Sequence, residues 1–150
     1  MSGRPVTALL LTLLMVCAAC VGPAPTTSSY RGKAGHTAED ALSQLETARL
    51  AVETAERGNL LHTSLEVLLS EAEDAYSSIQ ATFDSIQPPD SPEADRIRDK
   101  LDKILSDGLS GLAQLRIAAR RNDTAEVNST SAGLGTVSQA LRDFSDDPRA

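Results

Sequence analysis

Between Leu61 and Ile86 the side chains Leu61, Leu65, Leu68, Ala72, Ala75, Ile79, Thr82 and Ile86 recur at alternating steps of four and three, and Leu69, Tyr76 and Phe83 widen the same face. That period brings them to one side of an α-helix and fits no strand. A helix from Leu60 to Gln87 measures about 40 Å at 1.5 Å per residue. Pro88-Pro89 ends it, because proline lacks an N–H and restricts the residue before it. A helix with one apolar face needs partners to cover it, and the neighbouring sequence offers three more of the same kind.

The first is expected from Thr37, a cap with Asp40 in the first turn, and carries Ala38, Ala41, Leu42, Leu45, Ala48, Val52 and Ala55 before Arg57-Gly58-Asn59 stops it. Ser91-Pro92-Glu93 restarts a helix with Ala94, Ile97, Leu101, Ile104, Leu105, Leu112, Leu115 and Ala119 on its buried side. Gly108 and Gly111 fall on or beside that face and mark a close crossing or a bend. Arg116, Arg120 and Arg121 crowd its last turns, where positive charge complements the helix dipole. Asp123 and Glu126 then form a capping pair, and Val127, Thr130, Leu134, Val137, Leu141 and Phe144 keep register through Gly133 and Gly135. A loop would have no reason to hold helical phase, so one helix with a weak or kinked middle is expected.

Connections of a few residues make neighbours antiparallel, and the expected fold is all-α, an up-down-up-down antiparallel four-helix bundle. With aromatics at 3% and no Trp, its core has to be aliphatic, which favours close helix packing. Arg49 to Leu60 (RLAVETAERGNL) and Arg116 to Val127 (RIAARRNDTAEV) echo each other as helix end, turn and helix start. The landmarks of tetratricopeptide repeats are absent.

Ahead of the helices lies Val6 to Cys20, VTALLLTLLMVCAAC. Arg4 precedes an apolar stretch to Val16, and small residues follow at Ala18-Ala19, as in an export signal. The apolar run stops at Val21, before Gly22, Pro23 and Pro25, short of the ~20 residues that span a bilayer. A cysteine directly after two small residues resembles the lipobox of bacterial lipoproteins, although Cys17 stands where that family usually has Leu or Val. The resemblance implies that Cys20 receives diacylglycerol and becomes the first mature residue, anchored at the extracytoplasmic face of the cell membrane. Cys17 would leave with the signal, so no disulfide is expected. The expected layout is a cleaved signal at residues 1–19, a lipidated cysteine and flexible tether at 20–36, the bundle at 37–145 and a tail at 146–150. The mature part is also similar to small helical lipoproteins of actinobacteria in its Pro-Pro between long helices and its Ala, Arg and Asp rich style. That likeness transfers no site residue except Cys20.

Charge narrows the function. The chain carries −7, and loses one more positive charge with Arg4, which argues against nucleic acid as a partner. His36 and His62 are the only histidines, and His62 with Glu66 on one helix supplies too few ligands for a metal. Glu-x-x-His pairs, a Gly-x-Ser-x-Gly elbow and a phosphate loop are all missing, so no catalytic, cofactor-binding or metal-binding residue is assigned. The second helix holds Glu66, Glu71, Glu73, Asp74 and Asp84 without Lys or Arg, whereas the third has Arg96, Arg98, Lys100 and Lys103. That asymmetry reads as complementarity between neighbouring helices or as an acidic face, Glu66, Glu73 and Asp74, for a basic protein or a cation-rich envelope polymer. The expected function is a non-enzymatic interaction or scaffold module. The alternatives are a bundle holding a small apolar ligand in a cavity along Gly108, Gly111, Gly133 and Gly135, and then an enzyme of the cell envelope.

Overall fold

Helix ends set the architecture. In a computed structural model that describes residues 24–148, α1 spans Thr27–Glu56, α2 His62–Asp84, α3 Pro92–Arg120 and α4 Thr124–Asp146. The signal segment, with Cys17 and Cys20, lies outside the described residues, as does the end of the tail.

Side-chain oxygens cap three of the four starts. Thr26 accepts from the Ser29 N–H, Ser91 from Ala94 and Asp123 from Glu126, each at 3.1 Å, satisfying donors that have no partner within the helix. Leu61, at the start of α2, provides no such bond. The ends of α1 and α3 are built alike. Gly58 has φ 72° with Gly58 N–H on the Ala55 carbonyl and Asn59 N–H on Thr54, and Asn122 has φ 56° with Asn122 N–H on Ala119 and Asp123 N–H on Ala118. Both are Schellman closures, in which a left-handed residue turns the chain back and uses up the last carbonyls. Both echoing segments, 49–60 and 116–127, therefore contain a turn of the same type, with the left-handed residue three places earlier in the second.

Each helix packs on its neighbours in sequence, α1 closes the ring on α4, and α1 also touches α3 across the centre. This is the expected up-down-up-down four-helix bundle. The α1–α3 approach follows from side-chain size, since the buried face of α1 includes Ala34, Ala38, Ala41, Ala48 and Ala51. Cross-links at the surface fix the order. Arg116 Nε donates to Glu73 at 2.5 Å, joining α2 to α3, Arg142 donates to Glu46 at 2.8 Å, joining α4 to α1, and Arg31 pairs with Glu93 from α1 to α3.

Two expectations need correction. The flexible tether does not reach residue 36: α1 starts at Thr27, Tyr30 and Ala34 are fully buried, and Thr37 lies inside the helix, its hydroxyl donating to the Lys33 carbonyl at 3.0 Å. The face Tyr30, Ala34, Ala38, Ala41 continues the helical stripe, so packing orders these turns despite Gly32, Gly35 and the Ser-Thr composition. The second correction concerns α2, whose core face is rotated. Leu65, Leu69, Ala72, Tyr76 and Phe83 are buried, whereas Leu61 is 75% exposed and Thr82 faces solvent. The bulkiest side chains take the centre, and Leu68 and Ile79 flank it. α2 is also shorter than Leu60 to Gln87, because Arg98 of α3 reaches back to the Asp84 and Ile86 carbonyls at 3.1 and 3.2 Å and closes its end.

In α3 and α4 the expected faces are observed, with Ala94, Ile97, Leu101, Leu105, Leu112, Leu115 and Ala119 buried against Val127, Leu134, Leu141 and Phe144. α4 is continuous through Gly133 and Gly135.

Candidate functional site

The three acidic residues of α2 do not form one free face. Glu73 is held by Arg116 through both oxygens, with 19% of its side chain exposed, and the hydrogen bond and charge of Glu73 raise the Arg116 pKa above its usual value. Glu66 accepts from or pairs with His62 Nε2 at 2.8 Å, while Asp74 is exposed. At Glu73 the charge asymmetry is therefore complementarity between α2 and α3, which removes the middle of the expected acidic surface.

Gly108 and Gly111 do not open a cavity either. A Cβ on Gly108 would run into the Tyr76 hydroxyl and come within 2.6 Å of its Cζ, and one on Gly111 would lie 2.5 Å from Leu134 Cδ2. The space beside these two glycines is filled by Tyr76 and Leu134. Gly133 has nothing near its Cβ position, and Gly135 has only the Arg49 guanidinium at 3.7 Å.

The bundle opens instead at the end where both Schellman turns lie. A cavity of about 200 Å³ sits between the Gly58 and Asn122 turns, floored by Val52, Leu65, Ala119 and Val127. Glu56, His62, Asn122, Thr124 and Asn128 form its polar rim. Both hairpins contribute because both helix pairs end at this level. The floor residues are nearly inaccessible, whereas Glu56 is exposed and takes part in no ion pair among the described residues. The same half of the molecule carries the large exposed apolar side chains: Leu50, Leu61, Val67 and Ile117. Leu50 and Ile117 share a local pattern, each directly after an arginine and before a buried Ala, although Leu50 lies eight residues before Gly58 and Ile117 five before Asn122. Only Leu61 belongs to a stripe expected from spacing; Leu50, Val67 and Ile117 lie off the expected stripes, so their exposure agrees with the helical period.

Toward the opposite end two polar atoms are shut off from solvent, on the buried Tyr30 and on the half-buried Asp102, whose other oxygen pairs with Arg98 at 3.6 Å. The Tyr30 hydroxyl and Asp102 Oδ1 are inaccessible and make no hydrogen bond within the chain. Tyr30 stacks at a tilt on Phe83, 5.8 Å between centroids. Burial pushes the phenol pKa up, and the nearby Arg98 guanidinium only partly opposes it. Burial likewise raises Asp102, against the lowering effect of Arg98. Tyr76 is raised further, first by burial and then by the Asp107 carboxylate. None of the three lines the loop-end cavity. Among the described residues no three His, Cys, Asp or Glu side chains are grouped so as to hold a metal ion, and no helix is long and apolar enough to cross a membrane.

Compared with protein-family models, with curated proteins and with solved structures, the chain matches none.

Proposed function

We propose that the chain is a lipid-anchored, non-enzymatic interaction module of the extracytoplasmic membrane face, held by a diacylglyceryl group on Cys20 and recognising its partner with the loop end of the bundle. One observation carries this reading. Leu50, Leu61, Val67 and Ile117, exposed by 59, 75, 55 and 40%, all lie in the half of the bundle remote from the start of α1. Large exposed apolar side chains in one half of a small domain offer a partner contacts that water does not favour. A 30-residue α1 measures about 45 Å, and it begins soon after Cys20, so the exposed apolar end is the one a short leash leaves farthest from the anchor. With a net charge of −7, a basic protein or a cation-rich envelope polymer is the favoured partner class.

Two measurements test the two halves of the proposal. Replacing Cys20 by Ala should leave the protein unprocessed or move it out of the membrane fraction, while Cys17→Ala changes nothing; mature protein without a diacylglyceryl mass would overturn the anchor. Photo-crosslinking side chains placed at Leu61 and Ile117 in intact cells should give the same adduct, absent from a probe at Ser145 near the other end. Adducts only from Ser145, or none from any position, would overturn the recognition end.

A further inference from the structure

The cavity between the two turns has a chemistry of its own, independent of any anchor or protein partner. Its floor is aliphatic, Val52 and Leu65 from one hairpin and Ala119 and Val127 from the other, with exposures of 2, 6, 2 and 7%. An enclosed apolar cavity of about 150 Å³ accepts benzene in a lysozyme variant, and the ~200 Å³ here, open on one side to solvent, has room for a ring-sized apolar body whose polar end reaches the rim. Drug-sized sites run from about 300 to 1,000 Å³, which sets an upper bound on the occupant.

The rim decides the polar end of that occupant. Lys and Arg are absent from the lining, and the formally anionic member is Glu56, exposed and outside every ion pair among the described residues. His62 is turned to Glu66 at 2.8 Å. Asn122 and Asn128 add carbonyl acceptors beside their amide donors. Two helix C-termini and two N-termini meet at this level, so their dipoles oppose one another and the side chains set the sign.

We infer that this cavity binds a small primary ammonium compound with an apolar, ring-sized body, the body seated on Val52, Leu65, Ala119 and Val127 and the ammonium group donating to Glu56. A carboxylate of the same size would place its charge against Glu56 and is disfavoured. An uncharged analogue keeps the floor contacts and loses the rim.

The test is a titration of the full chain, ¹⁵N-labelled and held in a non-ionic detergent micelle, with 2-phenylethylammonium chloride, and then with 2-phenylethanol and 3-phenylpropionate. The ammonium compound should give saturable amide shifts confined to residues around Val52, Leu65, Asn122 and Val127, with the alcohol weaker and the acid weakest. Glu56→Gln should bring the amine down to the alcohol's affinity, a loss of roughly two- to five-fold for a half-solvated ion pair, and leave the alcohol unchanged. Val127→Phe, which fills the floor, should abolish all three. Ala55→Leu, which enlarges another lining residue, does the same job if Val127→Phe loses the dispersed spectrum of a folded bundle. No saturable shift at the loop end at millimolar concentration, equal binding of amine and acid, or binding unmoved by Glu56→Gln would overturn the inference. Failure of the photo-crosslinks to find a partner would leave these titrations unaffected, so the two readings fail separately.

Discussion

Gly108 is where one hydrogen atom in place of a methyl group decides the packing. Its missing Cβ admits the rigid, fully buried ring of Tyr76, which cannot retreat into a packed core. Gly108→Ala should therefore cost about 1–3 kcal/mol, the range for overpacking. Gly133→Ala, with open space at its Cβ position and helical backbone, should gain about 0.4–1 kcal/mol by restricting the unfolded chain. Chemical denaturation of the two variants measures the contrast, and equal effects would mean that Tyr76 does not occupy the Gly108 notch. Asp102 gives a pH-dependent case. Its pKa is raised in the folded state, chiefly by burial, so between its ordinary and raised values the folded chain binds more protons. Stability from this group is highest when pH lies below the ordinary value and is lost as pH rises through the raised one. Asp102→Asn should consequently be neutral or stabilising at pH 7, with the advantage shrinking in acid. A melting-temperature series across pH that shows the largest loss at neutral pH would mean that the Arg98 pairing outweighs burial. Neither residue's role was legible from sequence: the glycines on the α3 face were visible, but which side chain fills each one depends on the rotation of α2 and α4.

At the scale of elements, helices were legible where aliphatic residues repeat and obscure where alanine and a single tyrosine do the same work. The faces of α3 and α4 and the continuity of α4 follow from spacing alone. The first turns of α1 do not, because Thr27 to His36 contains glycines and hydroxyl residues that lower helix propensity and mimic a linker. Tyr30 is what makes them helix, buried against Phe83. Tyr30→Ala should cost about 3–5 kcal/mol, the value for emptying a large aromatic site, and raise hydrogen exchange across the first turns of α1. Tyr30→Phe keeps the ring and removes a hydroxyl that lies beside Arg98 without meeting hydrogen-bond geometry, and should cost far less than Tyr30→Ala. If Tyr30→Phe proves as damaging as Tyr30→Ala, the hydroxyl has a partner and the packing account is wrong. The rotation of α2 has a similar cause. Periodicity located its apolar half, but Leu68, Ala75 and Ile79 compete with Leu69, Tyr76 and Phe83 for the centre, and volume chose the larger set.

For the whole molecule, the two echoing turns are the feature that joins fold to proposed function. They end α1 and α3 at one level and flank the cavity, in the half of the bundle where Leu50 and Ile117 are exposed. The acidic surface expected from sequence includes Glu73, and a one-dimensional charge count does not reveal that Arg116 pairs with it. The early start of α1 adds a geometric consequence to the proposed anchor. If Cys20 carries the lipid, the other end of the bundle, with Ser91 and Ser145, stays near the bilayer, and the Gly58 and Asn122 turns stand up to about 45 Å away along a 30-residue helix. Fluorophores at Ser145 and at Leu61 of lipidated protein in vesicles containing spin-labelled lipid headgroups should then differ. Ser145 should be quenched strongly and Leu61 weakly, and Cys20→Ala should abolish quenching at both. Equal quenching would mean that the bundle lies flat on the membrane, and stronger quenching at Leu61 would mean that the exposed apolar end inserts into lipid, which would make the bilayer its partner in place of a basic protein or polymer.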